Sequence, residues 1–600
     1  MVTKINAHMT NAEIAELFRE IAAVYQLQGI EGFRVQAYVN VANSIEQLPT
    51  PLREIWEGND GALEEVPGIG KKFHKYLDEL FRTGHIKRLE RILRSEPAGM
   101  YPLLDVPGIG PKTAYKLAHA LRLGKAETAV EKVRAAAAAR TIQKIEGFSA
   151  VTEEKISHAI DQHYKHVEKR MLLPEAEQVA DDVMEYLRKS KLCEKTEALG
   201  SLRRRAPTIG DIDIAVATPD PDALMAYLEK FPHLQKVISV GPKMMIFLHA
   251  SGWQIDVKTQ FPAQWGSMLQ HYTGSKLHNI HLRTLALSKK LSLSENGVKS
   301  KSGTKFYTDE PSFYRALGLE YIPPELREDA GEIEAAKVGR LPKLIEEKHI
   351  RGDFHIHTSL DFPSSHDASV SSIAEILVQA EKLHYDYIGL SDHNPKQLGL
   401  TKAERLAAVK KRNAEIEKQV AAHFKKTSHK IHVFKGLEVD ILPDCNLALE
   451  DEALELLDYA IASIHSQFEL SSREMTRRIL KGLAHPKVRI FGHPTARSLE
   501  KRPEIEADWA TIFKFCAEHR KTIEINASPR RLDLPAQLIR EALQFDLNFV
   551  IDTDAHAAEH LLFMKYGVWN ARRGWLTEER VMNSWSLEKV KHELFMGYIS

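Results

Sequence analysis

Three cysteines in 600 residues, Cys193, Cys445 and Cys516, are too few and too scattered for a disulfide framework or a zinc knuckle. Reduced thiols follow. No apolar run is long enough to span a bilayer, and the opening "MVTKINAHMT" lacks the apolar core of a secretory signal. A soluble, cytoplasmic protein without a membrane partner is expected. Net charge is missing too: 82 basic side chains balance 82 acidic ones, which argues against a uniformly basic nucleic-acid binder and leaves local fields to be read from position. With 43% apolar residues the chain can build ordinary cores, and its length suggests roughly four domains of about 150 residues.

What is present begins with helices. "NAEIAELFREIAAVYQLQG" repeats apolar residues at three and four positions, with Asn11 placed to cap it. Two near-identical phrases follow, "LEEVPGIGKKFHKYLDEL" at 63–80 and "LLDVPGIGPKTAYKLAHAL" at 103–121, and a weaker copy, "IEGFSAVTEEKISHAI" at 145–160, keeps one glycine. Each reads as helix, turn, helix. A Gly-x-Gly turn opening a helix leaves backbone N–H groups free for a phosphate oxygen. Gly68, Gly70, Gly108 and Gly110, with Lys71, Lys72 and Lys112 beside them, are therefore candidate DNA-binding residues. Both copies resemble the helix-hairpin-helix element, which grips a DNA backbone without reading sequence. A glycine-capped hairpin with no ligand is the bland alternative, and duplication with a basic residue in each copy weighs against it. A further helix is expected over 162–192, alternating helix and strand over 195–325, and the main boundary near 345, after a charged helical segment at 325–348.

In "GSLRRRAPTIGDIDIAVA", residues 200–217, an apolar strand carries two aspartates one residue apart. Strand side chains alternate, so Asp211 and Asp213 share a face, where two carboxylates repel and are costly to bury without a cation. Magnesium takes hard oxygen ligands and keeps positions open for phosphate oxygens. Asp256, in the strand-like "GWQIDVKTQ", offers a third carboxylate. Two ions about 3.5–4 Å apart on such a set can activate a hydroxyl and stabilise a leaving pyrophosphate. Exposed strand-end aspartates are the competing reading.

Together, "GSLRRR…GDIDI", "IDVK" and "YTGSKLHNIHLR" resemble the X-family DNA polymerases related to DNA polymerase beta, over about residues 10–325. The resemblance implies Asp211, Asp213 and Asp256 as catalytic metal ligands, Asp256 also helping to activate the primer 3′ hydroxyl. It implies Gly200, Ser201 and Arg204 at the triphosphate, Tyr272 and Gly274 along the sugar, and Asn279 and Arg283 near the nascent pair. Three departures stand out: Arg205 where the family has glycine, His271 before Tyr272 where a second aromatic is usual, and Lys276 near the base. The lysine used by relatives to excise a 5′-deoxyribose phosphate falls at Tyr76, which lacks the amine that Schiff-base chemistry needs, and Lys75 points about 100° away.

After residue 351, histidine and acidic residues recur at apparent strand ends: "FHIHTS", "GLSDHN", "FKGLEVDIL", "IASIHSQ", "IFGHPTAR" and "IDTDAHA". In a parallel barrel strand C-termini converge, so such residues can meet. Imidazole with carboxylate suits zinc, manganese or iron. Taken singly, each histidine reads more readily as a buried core residue. The six in order resemble the PHP phosphoesterase domain, a distorted seven-stranded barrel with a trinuclear site, over about 350–575. By that resemblance the ligands are His355, His357, His393, Glu438, His465, His493, Asp554 and His556, plus one aspartate of "HIHTSLDFPSSHDAS": Asp367, with Asp361 as its rival. Arg497 and Arg530 follow metal-site motifs and could neutralise phosphates.

The expected fold is multidomain: helical helix-hairpin-helix domains, an α+β nucleotidyltransferase palm and thumb, and a C-terminal distorted (β/α)7 PHP barrel. Expected bounds are 1–90 for a DNA-binding helical domain, 91–165 for a second hairpin domain, 166–261 for the palm, 262–325 for nucleotide selection, 326–349 for a linker and 350–600 for the PHP domain. The expected protein is a bacterial X-family polymerase of the PolX type. It fills short gaps in repair as a monomer, binding gapped or nicked DNA with a 5′-phosphate and deoxynucleoside triphosphates. Mg2+ or Mn2+ serves the palm, and a Mn2+, Zn2+ or Fe2+ cluster serves a 3′-to-5′ exonuclease. The rivals are a nuclease whose polymerase half only presents DNA, and a polymerase whose PHP barrel is structural.

Overall fold

The computed structural model describes residues 9, 11–30, 33–46, 52–58, 63–64, 66, 69–104, 106, 109–168, 170–427, 430–499 and 501–595. Gly68 and Gly108 lie outside the described residues. The chain forms two compact units, Met1–Arg170 and Met171–Ser600. Among the described residues no helix is long and apolar enough to cross a membrane. The three cysteines are free.

The first unit is helical: α1 (Asn11–Leu27), α2 (Phe33–Glu46), α3 (Leu52–Gly58), α4 (Lys71–Thr83), α5 (Lys87–Leu93), α6 (Pro111–Ala120), α7 (Ala129–Ala138) and α8 (Ala150–Glu168). The three-and-four spacing of α1 buries Ile14, Leu17, Phe18 and Ile21 on one face. Phe18 meets Tyr38 and Phe73 edge to face at 5.9 and 5.4 Å between ring centroids, tying α1, α2 and α4 into one core. The helix expected over 162–192 is broken: α8 ends at Glu168 and the next helix restarts at Leu173. Pro174 explains this, since its ring has no N–H and would clash one turn back in a continuous helix but is tolerated in a first turn.

The second unit starts with β1 (Met171–Leu172) and α9 (Leu173–Arg188), then β2 (Lys195–Ala198), α10 (Gly200–Arg203), β3 (Thr208–Ile209), β4 (Ile212–Ala217), α11 (Pro221–Leu228), β5 (Leu234–Gly241), β6 (Met244–His249) and β7 (Gln254–Gln260). Five strands form a sheet in the order β2-β4-β7-β6-β5, with β4 and β7 parallel and the other neighbours antiparallel. In β7 alternation buries Ile255 and Val257 while Gln254, Asp256 and Lys258 take the other face. Next come α12 (Trp265–Thr273), α13 (Lys276–Ser288), an antiparallel sheet of β8 (Ser292–Ser294), β9 (Gly297–Ser300) and β10 (Gly303–Lys305), then α14 (Glu310–Ala316) and α15 (Glu332–Lys337).

A buried ion network joins these parts. Glu310, 3% exposed, accepts from Arg327, 0% exposed, at 2.6 Å and from Arg203 at 2.7 Å. Burial opposes the charge on Glu310, but the two guanidiniums overcome it and hold its carboxyl at about 2, below the usual 4.5. A carboxylate depressed in this way stabilises the fold above its ordinary pKa and loses that contribution as pH falls toward 2. Glu310→Gln is therefore expected to destabilise the second unit by about 3–5 kcal/mol at neutral pH, because Arg327 is left buried without its counter-charge. Urea unfolding of wild type and variant at stepped pH checks this: the gap should narrow below about pH 4.5.

The rest of the unit is a barrel. Its strands are β11 (Gly352–Ile356), β12 (Tyr387–Leu390), β13 (His432–Asp440), β14 (Tyr459–Ser463), β15 (Val488–Phe491), β16 (Thr522–Asn526) and β17 (Phe549–Asp552), all parallel and in sequence order. The helices between and after them are α16 (Ile373–Lys382), α17 (Lys402–His423), α18 (Asp451–Leu454), α19 (Ser472–Leu483), α20 (Trp509–Glu518), α21 (Ala536–Ala542), α22 (Met564–Arg573) and α23 (Leu587–Phe595). A parallel bridge between Ile356 and Ala555 nearly closes the ring. Interactions cross the boundary expected near 345: Ile345 N–H donates to Leu576 O at 3.0 Å, and Arg572 bonds Glu325 at 2.8 Å and Ile345 O at 3.0 Å. The main division of the chain accordingly falls at 170/171.

Candidate functional site

Two sites emerge in the second unit. In the palm sheet the parallel register places Asp213 directly beside Asp256. Asp211 is exposed one residue before β4, and its charge acts on Asp213 together with that of Asp256. Burial raises the Asp213 pKa, and against it stands Lys258, whose ammonium contacts Asp213 and lies 3.7 Å from Asp256 Oδ2. Sequence reading passed over Lys258, although its position two residues after Asp256 puts it on the same face. A cation lodged among carboxylates marks where a divalent ion would satisfy the same charges, and oxygen donors of this kind fit magnesium or manganese. Gln254 Nε2 donates to Asp256 Oδ1 at 2.9 Å and fixes that side chain.

The expected phosphate and sugar residues border this cluster. Gly200, with φ +56, leads into α10, and a Cβ there would stand 3.0 Å from Asp213 Oδ2, so a side chain would crowd the carboxylate. Ser201 is half-buried beside it. Arg204 donates to Thr273 O at 2.5 Å and to Glu328 at 3.0 Å, so much of its guanidinium is committed to bracing the turn at Gly274. Tyr272 lies under Lys258, 5.3 Å from ring centroid to Nζ. Asn279 donates to His271 O at 2.7 Å, and Arg283 Nη2 lies 3.5 Å from His271 Nδ1. Arg205 has φ +58, in the region glycine favours, and its side chain is held by Glu177 at 3.0 Å and by the Trp569 ring at 3.9 Å.

In the first unit, Gly70 and Gly110 are the extended N-caps of α4 and α6, and neither helix has a side-chain cap. Lys71 and Lys112 are exposed in the first turns. Lys72, also exposed, carries its ammonium over the Tyr38 ring at 4.3 Å, and burial, then Arg34 and Arg88, lower its pKa. Tyr76 is a core residue, 7% exposed.

The barrel gathers the histidines at the C-terminal ends of its strands. His355 Nε2 lies 3.2 Å and His393 Nδ1 2.9 Å from Glu438 Oε2; His465 Nε2 and His493 Nε2 lie 3.3 and 2.8 Å from Glu438 Oε1. His357 Nε2 is 3.3 Å from Asp554 Oδ1, and His556 stacks on His357 at 4.1 Å. His355 Nε2, both ring nitrogens of His357 and His556 Nε2 are buried without a hydrogen-bond partner. Buried nitrogens turned together and left unpaired are what metal ions would complete. Burial, with the nearby His393, pushes His357 down to about 3, so its ring is neutral and its lone pair available.

Several contributors were not legible beforehand. Glu524, fully buried in β16, bonds His355 Nδ1 at 2.6 Å, and Asp440 bonds His465 Nδ1 at 2.6 Å; such partners orient metal-binding imidazoles. Both alternate with apolar neighbours, in "TIEIN" and "LEVDI", a pattern that flags a strand without saying which face is functional. His366 approaches His393 and His465, at 4.8 and 4.6 Å between ring centroids, and bonds Asp440 at 3.1 Å. Asp367 sits at the rim, 81% exposed, 3.9 Å from His393 and 3.7 Å from His556; Asp361 is exposed at the start of the loop. Arg497, expected to meet phosphates, is a correction: it is buried and donates to the Arg531 and Leu532 carbonyls, because the loop after β16 folds over it. Arg530 and Arg531 instead line a cavity of about 760 Å3 that opens beside Asp554 and His556, and Arg531 lies 3.4 Å from Asp554.

A carboxylate-bearing mixed sheet followed by a histidine-lined parallel barrel defines a nucleotidyltransferase core joined to a metal-dependent PHP domain. Residues 9–86 match the helix-hairpin-helix domain family, 101–160 the SAM-like helix-hairpin-helix tandem, 268–328 the DNA polymerase beta thumb and 353–528 the PHP domain. The DNA polymerase/3'-5' exonuclease PolX of Bacillus subtilis (strain 168) is 32% identical over 590 residues, 97% of this chain and 99% of the relative. DNA polymerase lambda of Rattus norvegicus is 24% identical over 353 residues, 53% of this chain and 56% of its own, and that of Arabidopsis thaliana 26% over 355 residues, 53% and 62%. The chain belongs to the X-family DNA polymerases of the PolX type, which couple a polymerase beta-like core to a PHP domain.

Proposed function

We propose that this protein extends a primer 3′ end by nucleotidyl transfer in short DNA gaps, and trims 3′ ends in its PHP domain. The pairing of Asp213 with Asp256 in adjacent parallel strands, with Asp211 alongside, is the observation that supports synthesis most. Asp211, Asp213 and Asp256 would hold magnesium or manganese, which when bound would neutralise the triphosphate and lower the pKa of the attacking hydroxyl. Gln254 donates to Asp256 Oδ1 and so orients the carboxylate, which also helps to activate the 3′ hydroxyl. Gly200, Ser201 and Arg204 cradle the triphosphate, Tyr272 and Gly274 border the sugar, and Asn279 and Arg283 face the nascent pair. Gly68, Gly70, Gly108 and Gly110, with Lys71, Lys72 and Lys112, hold the DNA backbone and the 5′-phosphate of the gap, so binding is sequence-independent and weakens with salt.

In the PHP domain, His355, His357, His393, Glu438, His465, His493, Asp554 and His556 hold a cluster for which mixed imidazole and carboxylate donors suit manganese, zinc or iron. Arg530 and Arg531 receive the phosphodiester. The protein works as a cytoplasmic monomer, each site being built from one chain, with domains bounded at 1–90, 91–165, 166–261, 262–325, 326–349 and 350–600. A one-nucleotide gap assay with Mg2+ or Mn2+ tests the reading: filling followed by metal-dependent shortening of an unpaired 3′ end is expected, and absence of filling with either ion refutes it.

The first-loop ligand is Asp367, with Asp361 as its rival: the Asp367 carboxylate lies 3.9 Å from His393 and 3.7 Å from His556, and His366, grouped with His393 and His465, is a further candidate. Asp367→Ala is expected to lower bound manganese by about one equivalent and nuclease activity roughly tenfold or more, against a smaller loss for Asp361→Ala, and a loss centred on His366→Ala instead would move the assignment to that histidine. Metal analysis of the dialysed variants decides between them.

A further inference from the structure

We propose that Arg573, in the last turn of α22 in the PHP half, is a positioning residue for the nucleotide site of the polymerase half. Arg573 Nη1 donates to the backbone carbonyl of Arg204 at 2.7 Å and to Glu328 Oε1 at 3.0 Å. The same carboxylate oxygen accepts from Arg204 Nε at 3.0 Å, and Arg204 Nη1 reaches Thr273 O at 2.5 Å, immediately before the Gly274 turn. Three links therefore run from the barrel helix to the turn assigned to the incoming sugar. Two guanidiniums this close repel, and Glu328 between them is what lets both stay. It is held below its ordinary carboxylate range because Arg573 and Arg204 together overcome its burial.

The rest of α22 points to the same role. Lys565, Trp569 and Arg572 recur at helical spacing with Arg573, and each meets the polymerase half: Lys565 with Glu177 at 3.1 Å, Trp569 under the Arg205 guanidinium at 3.9 Å, Arg572 with Glu325 at 2.8 Å. Arg205 thus replaces the conformational freedom of a glycine with an anchor on the barrel. Because the Arg203–Arg205 segment is held from below by α22, its geometry depends on a domain that contributes no atom to synthesis. α22 itself begins at Met564, eight residues after His556.

The inference rests on Arg204 and Gly274 belonging to the nucleotide site. In the full-length protein, Arg573→Ala is expected to raise KM for the incoming nucleotide on a one-nucleotide gap by roughly ten- to a hundredfold, the size of a lost charge-assisted pair. kcat should fall less, and exonuclease activity on single-stranded DNA should stay unchanged. Arg573→Lys should recover part of the loss, and the effects of Arg573→Ala and Glu328→Gln should be less than additive, since both cut the same link. An unchanged nucleotide KM in a folded Arg573→Ala variant overturns the inference, as does parallel loss of synthesis and exonuclease, which would mark a purely structural residue. If Arg573→Ala does not fold, the comparison of Arg573→Lys with Arg573→Gln carries the test: equal KM values overturn it, and a lower KM for Lys supports it. Arg204→Ala separates the two readings: an unchanged KM there refutes the nucleotide-site assignment, whereas a raised KM beside a normal Arg573→Ala refutes only the role of Arg573.

Discussion

Asp213→Ala should abolish primer extension, by about a thousandfold or more, while exonuclease activity persists. The size follows from what is removed. A single preorganised electrostatic donor is worth roughly 10²–10³ in rate, and Asp213 is the buried carboxylate proposed to hold divalent ions together with Asp211 and Asp256. Without it the remaining charges are Lys258, Asp256 and the exposed Asp211, a set with far less hold on a divalent ion. The fold should tolerate the change. Asp213 has a raised pKa because burial disfavours its charge, so its carboxylate costs stability at neutral pH, and β4 stays paired on both sides through β2 and β7. A thermal midpoint equal to or above wild type is expected alongside the lost synthesis, a trade common where stability is surrendered to function. Extension and exonuclease rates on one preparation, with a melting curve, check all three points. Retained extension would remove the palm assignment.

His465→Ala should give the converse result: exonuclease loss greater than the roughly 10–100-fold typical of removing an outer partner of a metal ligand, with extension spared. His465 is held between Asp440 at 2.6 Å and Glu438 at 3.3 Å, so its ring has one orientation, and Glu438 is shared with His355, His393 and His493. Removing it therefore disturbs the centre of the cluster. The palm carboxylates lie on different elements, so synthesis should continue at close to its normal rate. Equal loss of both activities would mean that the halves do not act as separable sites. The measurement is the same paired assay, run with manganese in excess.

The sequence disclosed the chemistry better than the joints. Period-two alternation exposed β4 and β7, and with it the three carboxylates, because a strand face is fixed by local geometry. Strand-end histidines were legible for a similar reason: each follows an apolar run, and a parallel barrel brings such ends together. What stayed hidden depends on distant contact. Lys258 stands in the "IDVK" motif, but only its contacts with Asp213 and Asp256 show that it lies between two aspartates. Glu524 and Asp440 act through histidines on other strands, which no local pattern encodes. Arg497 read as a phosphate ligand from its place after "FGHPTA", yet the loop carrying Arg531 and Leu532 gives its guanidinium internal acceptors. The expected break near 345 failed to separate the halves for a related reason: "KYGVW" and "ARR" of α22 are an amphipathic stripe whose partners, Glu177, Arg205, Glu325 and Glu328, lie hundreds of positions away.

The palm aspartates and the barrel histidines are proposed as two separate seats for divalent cations. Crystals of the protein with gapped DNA, a nucleotide and manganese, measured at the manganese absorption edge, test it most directly. Anomalous peaks between Asp211, Asp213 and Asp256, and a second group among His355, His357, His393 and Glu438, are the predicted result. Density at neither place, or Lys258 still seated between the aspartates with no ion beside them, rules out the two seats.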